Sequence, residues 1–254
     1  MACCLICIVI PFSARKAVHT QRLRRLLLEI RAVAGDRSVR VAVVSDQPEV
    51  EQLSGSVAWI QATRSRGGQI AAGIEALQPD PGDWVWILHA DTRNIASAFE
   101  YLLSLQQSSA PGWGRFDVQL PGVLLVGQLM NLRSRLTKIC TGDQGMFIGQ
   151  QALQRIGGFP AQPLMEDIEC SRRLKRLQGV TFHAPRLGLV ADGSRWLERG
   201  WLRTVLGMWW YRIRYFMGAS PEQLYESYYG HRADVVTTGK AAAAHTPEAS
   251  KFQS

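Results

Sequence analysis

The sequence predicts an α/β fold: a mostly parallel, mixed sheet flanked by helices, with a helical extension at the C-terminal end. Three observations lead there. Short apolar runs rich in Ile and Val alternate with longer stretches whose apolar residues recur at helical spacing. Turn residues such as Asp80-Pro81-Gly82-Asp83 separate them. Two of the runs end in acidic turns, Ser45-Asp46 and His89-Ala90-Asp91, and layered parallel sheets hold their ligands beyond the carboxyl ends of their strands.

In order, residues 5–10 read as a buried first strand closed by Pro11, and residues 23–33 as a helix with arginines between its apolar positions. Residues 39–44 and 57–61 form the second and third strands, 68–77 a helix, 84–88 a fourth strand and 96–105 another helix. The rhythm changes after residue 110. Residues 113–118 read as a strand, 122–136 as a helix, 145–149 as extended and 150–156 as a short helix closed by Gly157-Gly158-Phe159-Pro160. A helix over 168–177 stops at Gly179. Residues 181–184 return to the sheet, and 196–216 form the longest helix. This divides the chain into a first half (1–110), a second half (111–236) and a flexible polar tail (237–254).

With 254 residues the chain is long enough to bury a substantial core. Its net charge of +8 favours an anionic partner: a nucleotide phosphate, a nucleic acid or a lipid surface. The arginines are scattered and no nucleic-acid-reading signature occurs, so a nucleic-acid partner is not expected. Five cysteines without framework spacing argue for a reducing, cytoplasmic setting. Cys4 and Cys7 form a C-x-x-C, but within a strand they read as small buried hydrophobes. The N-terminus lacks a basic region before its apolar run, and no run approaches the ~20 apolar residues of a membrane-spanning helix.

Five segments carry chemistry. Asp91, after an apolar strand, is either a helix cap or a hard-oxygen ligand for a divalent cation. His89 faces a phosphate or a metal, or is satisfied by neighbours. Glu166 and Asp167 stand at a helix start, where carboxylates complement the positive helix end; a carboxylate there is also a candidate general base for a nucleophile that must lose its proton. Arg64-Ser65-Arg66-Gly67-Gly68-Gln69 lies between a strand and a helix, where glycines leave backbone N–H groups open to an anion and Arg66 can pair with phosphate. Gly142-Asp143-Gln144-Gly145 is a turn or a substrate-facing loop, and Arg195-Trp196 a polar loop in which the arginine can meet a leaving diphosphate and the tryptophan a sugar. The last helix sets Trp201, Val205, Trp209, Ile213 and Phe216 among arginines, a stripe suited to core packing, a membrane surface or a homodimer interface.

Taken together, Ile8-Val9-Ile10-Pro11, Asp46, Arg64-x-Arg66-Gly67-x-Gln69, His89-Ala90-Asp91-Thr92, Thr141-Gly142-Asp143-Gln144 and Pro163-Leu164-Met165-Glu166-Asp167-Ile168-Glu169 resemble the inverting glycosyltransferases of family 2, which have the GT-A nucleotide-sugar-binding fold. The likeness covers roughly residues 5–230 and is nearest to the bacterial arsenosugar-biosynthesis or selenodomain-associated subgroup. It implies transfer of a sugar from a nucleoside diphosphate sugar, UDP-linked, to an acceptor. Asp46 would contact the uracil or its ribose. Pro11, Arg66, Gln69, His89, Ala90, Asp143 and Gln144 would line the donor pocket, with Trp196 beside the sugar. Asp91 would hold Mn²⁺ or Mg²⁺, Asp167 would be the catalytic base with Glu166 its neighbour, and Arg195 would assist the leaving group. The expected setting is the cytoplasm, with peripheral contact at the inner face of the membrane open to the last helix. Two departures stand out: His89 replaces the first Asp of the family's D-x-D, and Phe12-Ser13-Ala14-Arg15 replaces a polar start after the first strand. A nucleotidyltransferase of related fold and a non-catalytic sugar-nucleotide or membrane-surface binding protein are the competing readings.

Overall fold

In a computed structural model of the chain, the described residues are 5–13, 17–49, 57–106, 110–193 and 201–237. The first half contains β1 (Ile6–Phe12), α1 (Ala17–Ala34), β2 (Val39–Ser45), β3 (Val57–Gln61), α2 (Arg66–Leu77), β4 (Trp84–Ile87) and α3 (Ala96–Leu105). The second half contains β5 (Gly112–Gly114), β6 (Asp117–Gln119), α4 (Leu124–Thr137), a 3-10 turn (Gly142–Gln144), β7 (Phe147–Gly149), α5 (Gln150–Arg155), α6 (Glu166–Leu174), β8 (Thr181–His183) and β9 (Gly188–Val190). Two helices follow, α7 (Trp201–Phe216) and α8 (Pro221–Thr237).

Seven strands form one sheet in the order β3-β2-β1-β4-β7-β5-β8. All neighbouring pairs are parallel except those that β7 makes with β4 and β5. The expected α/β architecture is the one observed. The first strand shows why its sequence is apolar throughout. Ile6, Ile8 and Ile10 face the core under α1 and α3, whereas Cys7 and Val9 face the core under α2, α5 and α6. A strand covered on both sides has no face for polar residues. Burial pushes the Cys7 thiol up to about 11, so it behaves as a core residue rather than as a nucleophile.

At the opposite, N-terminal edge of the strands, the buried Asp83 carboxylate accepts from the amides of Leu5 (2.7 Å) and Asp80 (2.9 Å) and from Arg40 Nη2 (2.8 Å). One side chain thus fastens three segments and fixes the register of β1 against β4.

The structure departs from the sequence expectation in several elements. The single strand expected over 113–118 is two strands in different sheets, β6 pairing with β9. The chain turns between them because the Arg115 amide donates to His183 O and the Phe116 amide to Gln144 O. The Arg115 guanidinium, fully buried, is held there by Asp117 and by Asn131 O. Helix α6 begins two residues earlier than expected, so Glu166 and Asp167 lie inside its first turn. Residues 196–200 of the long last helix lie outside the described residues. Helix α8 was not expected, yet it carries its own start signal: Pro221 at the first helical position and a reciprocal bond between Ser220 and Gln223. Among the described residues no helix is long and apolar enough to cross a membrane.

Candidate functional site

A cleft of about 350 Å³ opens beyond the carboxyl ends of β1 and β4. Ser65 starts α2 by accepting the Gly68 amide at its Oγ (3.2 Å), which leaves Arg66 as the first helical residue, pointing across the cleft. Gly67 is required beneath it. A Cβ there would lie 2.3 Å from Gln162 O and 2.6 Å from Pro160 O, so only glycine lets α2 rest on the 160–162 backbone.

Arg66 is the hub. Its Nε donates to Glu166 Oε1 and its Nη2 to Asp167 Oδ2 (3.2 Å). Its Nη1 lies 3.4 Å from His89 Nε2. His89 Nδ1 is in turn 2.9 Å from Asp143 Oδ1. Four segments far apart in sequence therefore share one charged cluster. Glu166 is 1% exposed, and burial holds its carboxyl above the ordinary carboxylate range against the opposing pull of Arg66.

Asp167 is positioned from both ends. Met165 enters α6 in the left-handed conformation (φ 62°), which turns the next two side chains toward Arg66. The Gly142 amide donates to Asp167 Oδ2 (3.0 Å), and the Ser171 hydroxyl donates to the Asp167 carbonyl (2.7 Å) while accepting the Cys140 amide (3.0 Å). These bonds tie the loop before β7 to α6.

The expected site residues separate into groups. Pro11, Arg66, Gln69, His89, Asp143, Glu166 and Asp167 line the cleft. Gln69 also donates from Nε2 to Phe12 O (3.3 Å), holding α2 against the end of β1. Gln144 does not reach the cleft. It is fully buried, its Oε1 accepts from the Thr141 amide and hydroxyl (3.2 Å each), and its Nε2 donates to Asn131 Oδ1 (3.2 Å) and Ser134 Oγ (2.9 Å). With both ends of its amide engaged, it shapes the loop that carries Gly142 and Asp143. Asp46, Ala90 and Asp91 lie off the cleft wall at the ends of β2 and β4. Asp46 Oδ1 is buried with no hydrogen-bond partner among the described residues, an unusual state that a ligand donor would relieve. The Asp91 turn is anchored by Thr92 N to His89 O (3.0 Å) and by the two-way bridge between Arg93 and Val190. Asp91 offers one hard oxygen donor; among the described residues no three His, Cys, Asp or Glu side chains gather as a metal-ligand group. Arg195 and Trp196 lie outside the described residues.

The sequence reading passed over the wall that α7 and α8 supply. Met208, Tyr211 and Arg212 of α7 and Tyr225, Tyr228 and Tyr229 of α8 close the cleft from above the acids. Tyr225 Oη donates to Arg64 O (3.1 Å), and Tyr215 Oη donates to Glu169 Oε2 (2.9 Å), docking these helices on the loop before α2 and on α6. The Tyr-rich run behind the Ser220 capping signal was the available clue.

No protein-family model matches the chain, and no curated protein matches it in sequence. Its fold is similar to that of TarS from S. aureus. The structure of TarS 1-349 superposes with a TM-score of 0.55 at 13% identity, covering 74% of this chain and 60% of that one. The same segment in complex with UDP gives 0.55 at 12% identity, and in complex with UDP-GlcNAc 0.54 at 13% identity over 58% of its length. The chain thus spans less than two thirds of the relatives it resembles, and at these identities the likeness is one of fold.

Proposed function

We propose that this cleft transfers a sugar from a UDP-linked nucleoside diphosphate sugar to an acceptor hydroxyl, with inversion. The observation that carries the reading is the convergence of Arg66, His89, Asp143, Glu166 and Asp167 in one cleft at the strand ends. The likeness in fold to a protein solved with UDP and with UDP-GlcNAc supports it. The first half of the chain serves the donor and the second half the acceptor. Asp46, with its unpartnered oxygen, faces the base or ribose.

Asp167 takes the proton of the acceptor hydroxyl as its oxygen attacks the anomeric carbon, and the bond to the diphosphate breaks on the opposite face. Arg66 holds the acid pair in register and supplies positive charge to the donor side. Glu166, buried beside it, shapes the acceptor pocket. A divalent cation, Mn²⁺ or Mg²⁺, held by Asp91 and the donor's own phosphates would offset the charge of the leaving diphosphate. Arg195 and Trp196 belong to this reading as leaving-group and sugar contacts. The protein works in the cytoplasm, peripheral to the inner face of the membrane, a setting supported by the exposed Trp209, Trp210 and Phe216 of α7.

The test is Asp167→Asn. Calorimetry against UDP-sugars, with and without metal, is expected to show retained donor binding, while transfer falls by about 10²–10⁴-fold. Unchanged turnover would remove Asp167 from the base role, and a chain that binds no nucleotide sugar would end the reading.

A further inference from the structure

Beside the charged cleft lies a second cavity of a different character. A groove of about 710 Å³ runs between α4 and α7, lined almost wholly by apolar side chains. On α4, Leu124, Leu125, Leu129, Leu132 and Leu136 are each more than half exposed. The opposite face of the same helix is also occupied: Val126 and Met130 pack on β6, and Asn131 bonds its backbone. Helix α4 is therefore apolar on a face that the fold leaves uncovered. Across the groove, α7 contributes Val205, Met208 and Trp209, and Leu206, Trp210, Ile213 and Phe216 are also exposed on that helix. A continuous apolar surface of this kind marks a binding site rather than ordinary surface composition.

Two arginines line the groove. Arg212 and Met208 line both cavities. Arg212 is 8% exposed. Arg133 lines the groove from α4, and its Nε and Nη2 are buried with no hydrogen-bond partner. Burial lowers its pKa while the charge of Asp167 opposes that shift, which sets Arg133 within electrostatic reach of the acids. A buried guanidinium without a partner is costly. A phosphate oxygen is the partner that fits its geometry and charge.

From this order, apolar groove, then arginines, then carboxylates, we infer that the acceptor is a single anionic phospholipid whose headgroup bears a free hydroxyl. Its tails lie between α4 and α7, its phosphodiester sits at Arg133 and Arg212, and its hydroxyl reaches Asp167. The inference rests on the transfer reading above. The hydroxyl oxygen forms the new bond to the anomeric carbon, its proton passes to Asp167, and the bond to the diphosphate breaks with its electron pair leaving on the nucleoside diphosphate. A second copy of the chain seated on the leucines would cover the apolar surface but leave Arg133 Nε and Nη2 without an acceptor. Contact with a bilayer face alone would leave the buried Arg133 nitrogens without an anion.

The experiment uses the full chain with radiolabelled UDP-sugars and three kinds of vesicle. Phosphatidylglycerol has the phosphate and the hydroxyl, phosphatidic acid has the phosphate alone, and phosphatidylcholine has neither a net negative charge nor a hydroxyl. Flotation is expected with the two anionic lipids, and label in the organic phase with phosphatidylglycerol alone. Leu129→Glu is expected to raise the apparent KM for the lipid at least tenfold. Arg133→Gln with Arg212→Gln is expected to abolish the preference for anionic vesicles, with circular dichroism checking that each variant is folded. Donor consumed with label only in water-soluble product overturns this inference and leaves the transfer reading standing. Labelled lipid made equally well by the double arginine variant overturns it too. So does a stable dimer that Leu129→Glu converts to a monomer with lipid labelling unchanged. A chain that neither binds nor consumes any UDP-sugar overturns both readings.

Discussion

Replacing Arg66 by methionine removes the guanidinium while keeping most of its length. Glu166 is then left at 1% exposure with no cation bonded to it. Breaking a fully buried ion pair costs about 3–5 kcal/mol. The Arg66 side chain is 38% exposed, so water partly replaces it, and the low end applies, about 3 kcal/mol. For a chain of this size that corresponds to a melting point lowered by about 6–12 °C at neutral pH. The effect has a pH signature. Burial already raises the Glu166 pKa, and Arg66 opposes the rise. Without Arg66 the folded-state pKa climbs further. A group with a raised folded pKa favours the fold while it is protonated, and that contribution is lost as pH rises through the folded value. The gap between wild type and Arg66→Met therefore narrows on acidification, as Glu166 takes up its proton. Urea unfolding at pH 7.5 and pH 5 measures this. Adding Glu166→Gln to Arg66→Met should recover more than half of the loss, because the two residues are in direct contact. A loss that is the same at both pH values, or two substitutions whose effects simply add, would refute the account of a buried pair.

Other substitutions probe the supports around that pair. Gly67→Ala sets a methyl against Gln162 O and Pro160 O and should cost about 1–3 kcal/mol, with weaker UDP-sugar binding because Arg66 is displaced with it; thermal melts and calorimetry check both. Gln144→Leu strands the buried partners of its amide and should cost about 1–3 kcal/mol by urea unfolding, although the residue never touches the cleft. Tyr215→Phe removes a hydrogen bond to a charged acceptor and should cost about 1.5 kcal/mol near neutral pH. Burial by itself would raise the Glu169 pKa, but hydrogen bonds from Arg173 and Tyr215 outweigh it and hold it below its ordinary value. The stability from that depressed pKa is present above the ordinary carboxylate pKa and lost as pH falls through the folded value, so the Tyr215→Phe difference should vanish in acid; a difference that persists there contradicts it.

The strands of the first half were legible because parallel strands covered on both faces are written locally, as short apolar runs such as Ile6 to Ile10, whereas their order in the sheet was not. The change of rhythm after residue 110 was legible too, but not its cause. Whether residues 113–118 are one strand or two depends on His183 O and Gln144 O, acceptors that no local pattern announces. Helix α8 was not expected although Ser220 and Pro221 mark its start, and its place as a wall depends on where α7 delivers it.

The sequence by itself determined the layered sheet, the acid pair at a helix start, and the arginine and glycines at another. Periodicity and capping are local properties, and they survive in a one-dimensional reading. Only the tertiary structure decided that Arg66 takes both Glu166 and Asp167, a hundred residues away, and that Gln144 faces inward. It alone decided that Asp46 and Asp91 stand off the cleft wall, and that the leucines of α4 remain uncovered beside the unpartnered nitrogens of Arg133. A residue type limits what a side chain can bond; which partner it meets is set by packing between elements whose contacts lie far apart in the chain.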